Sequence, residues 1–234
     1  MNCGLLHKTT LATEETLELH IGIDDFDSPK GMCTTYLGAL IVQFLASKKD
    51  VIFLDYPYLI RLNPNIPFKT RGNGAVSIHV DIPESSIDKV VDFIRKMLFE
   101  LTDFSHKKVD PVAVISVGSI PEIYKDVYHR ALREIVPQRY IARIAENGRV
   151  IILKVKRGRG IIAAISAIGA YKLRKYTFEL LLYRNPNERI KNRRINNEFI
   201  LSLDRKYRPY IFANFDYESR RLLAISHGPD PVII

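Results

Sequence analysis

Leu17-Glu-Leu-His-Ile-Gly-Ile-Asp-Asp-Phe-Asp-Ser-Pro-Lys-Gly-Met-Cys-Thr-Thr-Tyr36 holds two periods in succession, and the switch between them decides the fold class. Leu17, Leu19, Ile21 and Ile23 alternate with other residues, the period of a half-buried strand that ends at Asp24-Asp25. After Ser28-Pro29-Lys30-Gly31 the pairs Tyr36 and Leu37, Leu40 and Ile41, Phe44 and Leu45 return every four residues, as on the inner face of a helix. Lys48 and Lys49 suit the negative end of that helix. Further strands are expected over 51–62, 75–81 and 112–117, and a helix over 86–101. Ser119-Ile-Pro-Glu122 predicts another helix start, with Ser119 as N-cap, proline early and an acid in the first turn. A β-branched strand at 150–155, a basic glycine turn at 156–160, a helix at 161–173 and a strand at 176–183 form a second block. This order predicts an α/β to α+β fold of two adjacent units, 15–147 and 148–234, joined at a weakly marked boundary.

Nearly half of the 234 residues are apolar, enough for a substantial core. No apolar run approaches the roughly 18 residues that span a membrane, and 1–15 lacks the apolar core of a secretory signal. Two cysteines, Cys3 and Cys33, make neither a disulfide framework nor a four-ligand zinc site, which favours a reducing cytoplasm. The net charge of +9 attracts polyanions, and its distribution is uneven. Eight cationic and three acidic residues lie over 184–208, more than half of the excess.

Three segments carry chemistry. Asp24, Asp25 and Asp27 crowd the end of a buried strand, where a divalent cation such as Mg²⁺ relieves repulsion. Gly31, Thr34 and Thr35 follow where a helix begins, a place receptive to phosphate through exposed amides and the helix dipole. The same residues also read as an Asx-turn and a capped helix, with Asp27 or Ser28 as the cap. No P-loop sequence is present. The second segment, 61–74, holds amides at Asn63, Asn65 and Asn73 and charges at Lys69 and Arg71. Gly72 and Gly74 permit close backbone approach there, while Pro64 and Pro67 stiffen the loop. Third, Gly158, Arg159 and Gly160 form a basic turn before a helix.

Gly22-Ile-Asp-Asp-Phe-Asp-Ser-Pro-Lys-Gly-Met-Cys-Thr-Thr-Tyr36 and Arg61-Leu-Asn-Pro-Asn-Ile-Pro-Phe-Lys-Thr-Arg-Gly-Asn-Gly-Ala-Val76 resemble the two signatures of the tRNA-isoleucine 2-agmatinylcytidine synthetases. Gly158-Arg-Gly-Ile-Ile-Ala-Ala-Ile-Ser-Ala-Ile-Gly169, Tyr176-Thr-Phe-Glu-Leu-Leu-Leu-Tyr-Arg184 and His227-Gly-Pro-Asp-Pro231 extend the resemblance in order to the end of the chain. It departs from the family at Phe26, where threonine is usual, at Tyr176, where histidine is common, and at Ala213, where asparagine is expected.

The resemblance implies an ATP-dependent ligase that attaches agmatine to C2 of the wobble cytidine of isoleucine tRNA with a CAU anticodon. A phosphorylated cytidine is the implied intermediate. It further implies a kinase-like, ATP-binding first unit and a ferredoxin-like second unit. Asp24, Asp25 and Asp27 would hold Mg²⁺, and Thr34 would itself be phosphorylated. Lys69, Arg71 and Asn73 would meet the transferring phosphate, with Gly158, Arg159 and Gly160 as a second anion clamp. Arg189, Lys191, Arg193, Arg194 and the 205–208 cluster would touch tRNA. Tyr207, Tyr210 and Phe212 would stack on bases or fill the core. Glu179, Asp216 and Asp230 are open choices for the carboxylates that agmatine needs. Family chains continue into an OB-fold and a zinc ribbon, so this sequence is expected to be a catalytic portion or a short homologue working with a separate RNA-binding chain. A nucleoside or small-molecule phosphotransferase and a non-catalytic RNA-binding subunit are the alternatives.

Overall fold

Alternate apolar residues make β1 (Thr16–Asp24) the spine of the molecule, with Leu19, Ile21 and Ile23 fully buried on one face and His20 and Gly22 on the other. The computed structural model describes residues 15–29, 32–67, 69, 72–145, 149–179, 181–182, 196–212, 214–222 and 232–233. Both neighbours of β1 are antiparallel to it: β4 (Gly74–Pro83), with Ile21 opposite Ile78, and β5 (Val112–Val117), with Ile21 opposite Ile115. Beyond β4 lie β2 (Ile52–Phe53) and β3 (Tyr58–Arg61), which share its outer edge. Beyond β5 lies β6 (Arg149–Lys154). The connection β4–α2–β5, with α2 (Ile87–Leu101), is a crossover whose two strands are separated by β1.

Helices cover both faces of this sheet. Ile87, Val90, Val91, Ile94 and Leu98 give α2 a buried stripe at helical spacing. They pack with Leu37, Ile41 and Leu45 of α1 (Thr34–Ala46) against Leu19, Ile21, Ile23 and Ile78. The opposite core joins α3 (Glu122–Ala131) and α5 (Ile161–Gly169) to Val112, Val114 and Ala75. Here the contact is backbone to backbone. A Cβ on Gly22 would overlap the Ala164 carbonyl oxygen, and one on Gly169 would overlap the Tyr124 carbonyl oxygen. Small residues at 163, 164, 167 and 169 let α5 sit that close. The same face buries a histidine pair, His20 Nδ1 and His79 Nδ1 at 2.9 Å, with Ser77 Oγ 3.0 Å from His79 Nε2. Loss of solvation holds both rings below the ordinary histidine pKa, His79 at about 3, so the pair is neutral.

The fold is mixed α/β with an antiparallel sheet. It departs from the sequence reading at definable points. The strand expected over 51–62 is two short strands, because 54–57 turn on Asp55, whose carboxylate accepts from Tyr56 N–H at 2.7 Å and Tyr58 OH at 2.6 Å. Ser119 does not cap α3; Pro121 occupies that position with extended backbone and no side-chain cap. The helix expected to reach 173 stops at Gly169, and Lys172 then takes a φ of +63°. Within 176–183, only Leu181–Leu182 (β7) is a described strand, paired with β10 (Val232–Ile233). β6 is paired with β5 along its length, so the first sheet runs on past residue 148. The remaining described elements are α4 (Tyr140–Ala145), α6 (Asn197–Lys206), and the pair β8 (Phe215–Asp216) and β9 (Arg221–Leu222). Among the described residues no helix is long and apolar enough to cross a membrane.

Gly22→Ala is expected to lower unfolding stability by roughly 1–3 kcal/mol or more, the usual cost of overpacking a core. Denaturant unfolding measures it, and a neutral result would mean that α5 does not hold this distance from β1 in solution.

Candidate active site

β1 delivers its last residue, Asp24, to the rim of the sheet, and the chain leaves through Asp25 at φ +66°. That left-handed conformation is one aspartate tolerates better than most residues. Asp25 is buried, and its Oδ2 accepts from Arg159 Nε at 3.0 Å and Nη2 at 2.6 Å. Asp24 is half-buried. Desolvation first, then the nearby Asp25 and Asp27 charges, push its carboxyl well above the ordinary range, against the pull of the Asp25 amide and Arg159. Phe26 is buried in the α1 side of the core. Thr34, at the first turn of α1, is buried too; its Oγ1 accepts from Phe26 N–H at 3.3 Å and lies 3.5 Å from Asp27 Oδ2.

The basic glycine turn comes up against this acidic turn. A Cβ on Gly160 would lie 3.1 Å from Asp25 Cβ and 3.3 Å from Asp24 Cβ, so only glycine fits without displacement. Gly158 takes φ +79°. Asp110, just before β5, clamps the turn: its two oxygens accept from Gly158 N–H at 2.9 Å and Arg159 N–H at 3.2 Å. Lys156 Nζ caps the carbonyls of Val109 at 2.7 Å and His106 at 3.1 Å. From this turn α5 starts, with Gly160 packed against Asp24 and Asp25 and the Ile161 N–H donating to the Gly158 carbonyl at 3.2 Å.

In the 61–74 segment the amides build the loop. Asn63 Oδ1 accepts from Asn65 N–H at 2.9 Å, Asn73 Nδ2 donates to the Asn63 carbonyl at 2.6 Å, and Leu62 N–H donates to the Asn73 carbonyl at 2.9 Å. Asn73 adopts φ +46°. Lys69 Nζ contacts the Pro64 carbonyl.

All three segments line one cavity of about 310 Å³. Asp24, Asp25 and Asp27 form one wall, Lys69, Asn73 and Gly74 another, and Arg159 and Gly160 close the polar side. Leu62, Ile66, Ile135, Val136 and Ile162 supply an apolar wall. A polar end facing an apolar wall is the usual make-up of a small-molecule site. Thr34, Thr35, Asn63, Asn65, Gly72 and Gly158 are not among the lining residues; Thr35 Oγ1 instead lies 3.3 Å from Cys33 Sγ. Gly31 and Arg71 lie outside the described residues, as do Asp230, Arg189, Lys191, Arg193 and Arg194. Asp24, Asp25 and Asp27, expected to hold a cation, all line this cavity. Among the described residues no three His, Cys, Asp or Glu side chains are gathered for a metal, and Asp25 is turned onto Arg159. Sequence reading missed Asp110 and the 134–138 wall. A lone Asp-Pro before a strand and an apolar loop carry no motif.

Glu179 lines a second cavity, of about 480 Å³, beside Asp55, Tyr56, Tyr176 and Phe178. Asp216 is held by Ser219 Oγ and the Glu218 amide. Tyr207, Tyr210 and Phe212 are exposed rather than core residues, close in sequence to Arg205, Lys206 and Arg208.

Residues 20–157 match the TiaS TCKD domain and residues 158–234 the TiaS FLD domain. The chain belongs to the TiaS family. It is 46% identical to the isoleucine-tRNA 2-agmatinylcytidine synthetase TiaS of Thermofilum pendens, over 92% of this chain and 49% of that protein. With the enzyme of the same name from Pyrococcus horikoshii the identity is 44%, over 92% of this chain and 50% of the relative. The chain thus spans about half the length of the TiaS relatives it matches. A solved complex of TiaS with its isoleucine tRNA and ATP superposes with a TM-score of 0.81 at 32% identity, over 93% of this chain and 51% of that one. A complex of TiaS with the same tRNA, AMPCPP and agmatine gives 0.79 at 30% identity, over 93% and 52%.

The raised Asp24 carboxyl has a thermodynamic sign. The folded chain binds a proton that the unfolded chain has released, so Asp24 weakens folding as pH rises from the ordinary carboxylate value of 3.8 through its folded value. Asp24→Asn is therefore expected to raise the melting temperature at pH 7, by roughly 2–4 °C for each 1 kcal/mol of repulsion relieved. The gain should shrink as pH falls towards 4. Melting curves at two pH values check this; an unstable variant at neutral pH contradicts it.

Proposed function

We propose that this chain is the catalytic portion of an ATP-dependent ligase that conjugates agmatine to C2 of the wobble cytidine of isoleucine tRNA. Convergence of the acidic turn, the Asn-Gly loop and the basic glycine turn on one cavity supports the reading most directly. TiaS relatives, named for this product and solved with isoleucine tRNA, ATP and agmatine, supply the substrates. In this reading an ATP-binding, kinase-like unit supplies most of the cavity, and a ferredoxin-like unit after the 157/158 boundary of the family domains adds Arg159, Gly160 and Ile162 to it.

The γ-phosphoryl group of ATP passes to the cytidine O2. The agmatine amine then attacks C2, and the phosphate leaves with the C–O electron pair. A carbonyl oxygen leaves poorly, and phosphorylation removes that obstacle. Leu62, Ile66, Val136 and Ile162 receive the base of the nucleotide, while Lys69 and Arg159 meet its phosphates. Asn73 and Gly74 hold the loop close to them. The crowded carboxylates of Asp24 and Asp27 fit a cation bound by two protein oxygens and completed by phosphate oxygens, the usual manner of Mg²⁺. Such an ion would neutralise charge on the transferring phosphate. Arg205, Lys206 and Arg208, with Tyr207, Tyr210 and Phe212 exposed nearby, supply a basic, aromatic surface for tRNA. Further RNA contacts come from the remaining half of the family's length or from a separate RNA-binding chain. Action on tRNA implies the cytoplasm.

The test is incorporation of labelled agmatine into isoleucine tRNA transcript with ATP and Mg²⁺. ATP-dependent incorporation is expected, and Asp25→Asn and Thr34→Ala are each expected to lower phosphoryl transfer by about 10²–10³-fold. Because Thr34 is buried, its own labelling from γ-labelled ATP requires the turn before α1 to open. Absence of both agmatine incorporation and phosphate transfer would refute the assignment.

A further inference from the structure

We propose that Asp110 is a positioning residue that sets Arg159 for contact with the transferring phosphate, an inference that rests on the phosphoryl-transfer reading above. Asp110 is buried and makes three backbone hydrogen bonds to two turns that are far apart in sequence. Its N–H donates to the Asp25 carbonyl at 3.2 Å. Its carboxylate oxygens each accept one of the successive amides of Gly158 and Arg159, at 2.9 and 3.2 Å. Successive amides in a turn with a left-handed residue form a small concavity that holds an anion. Here Asp110 itself supplies that anion.

The consequence lies with the side chain that leaves this concavity. With its backbone fixed by Asp110, the Arg159 guanidinium reaches Asp25 Oδ2 and the Lys108 carbonyl and lines the cavity between them. Asp25 is itself tied to Asp110 through its carbonyl. One residue thus reaches both members of the Asp25–Arg159 pair, Arg159 through its carboxylate and Asp25 through its backbone N–H, without lining the cavity. Aspartate is needed rather than asparagine, because an amide offers one accepting atom and would turn its NH₂ towards the other N–H.

Two measurements on the 234-residue chain test this. Amide hydrogen exchange over 156–160, compared between wild type and Asp110→Asn, requires no activity. Faster exchange confined to that turn is expected. Unchanged exchange overturns the proposal whatever the chain does with ATP. Transfer of label from γ-phosphate-labelled ATP is then measured in a double-mutant cycle with Arg159→Ala. Asp110→Asn is expected to lose about 10–100-fold, the scale of losing an outer supporting hydrogen bond. The double variant should be no worse than Arg159→Ala alone. Independent, multiplying losses would show that Asp110 acts other than through Arg159 and overturn the proposal. If wild type transfers no phosphate, the phosphoryl-transfer reading fails and this role falls with it. Wild-type rates in Asp110→Asn remove the positioning role alone.

Discussion

Asp25 brings a charge to a nearly solvent-free place at the end of the central strand, and Arg159, 134 residues later, meets it with two hydrogen bonds to one oxygen. Breaking a buried pair of this kind leaves an uncompensated charge, a cost of about 3–5 kcal/mol. The glycine turn therefore has to stay where it is, and the rest of the local structure is arranged to keep it there. Gly160 has no Cβ to strike Asp24 and Asp25, Asp110 fastens the backbone, and Lys156 closes the 106–109 carbonyls beneath it. Two regions that the family domains assign to different units are joined at this point.

The same arrangement leaves Asp24 in poor company. The Arg159 contact goes to Asp25. Asp24 is left half-buried beside two acidic neighbours. Structures commonly place stability and function in opposition in this way, with groups held in costly surroundings because chemistry needs them there. A cation, alone or carried in by a polyphosphate, is the natural relief, and Asp24 lines the cavity.

Much of this was readable from the amino acids. Period-two alternation located β1 and four-residue spacing located α1, because each buries an apolar face, and β5 and α2 fall where a strand and a helix were expected. The reading failed where a side chain overrode the pattern, as Asp55 does in breaking the 51–62 strand. It failed again where a nominal cap, Ser119, had no helix end to serve. At the cavity, Asp24, Lys69 and Arg159 come together although they are far apart in sequence. Asn63 reads as a hydrogen-bonding side chain open to a ligand, yet its Oδ1 accepts from the Asn65 N–H of its own loop, which composition alone does not reveal. Asp110 was illegible because its significance lies in what it faces. Tyr207, Tyr210 and Phe212 could have been core or surface, and only the fold puts them in solvent.

The seam between β1 and α5 bears on modularity. By family domains the chain divides after residue 157, yet α5 begins at Ile161 and covers Gly22 on the central strand. A polypeptide cut at that division would keep the whole sheet and lose the lid over one of its faces. Val112, Val114 and Ala75 would then meet water as a contiguous apolar surface, an invitation to aggregate. The unit that folds therefore extends at least through Gly169, and the evolutionary boundary is not a place where the molecule can be divided.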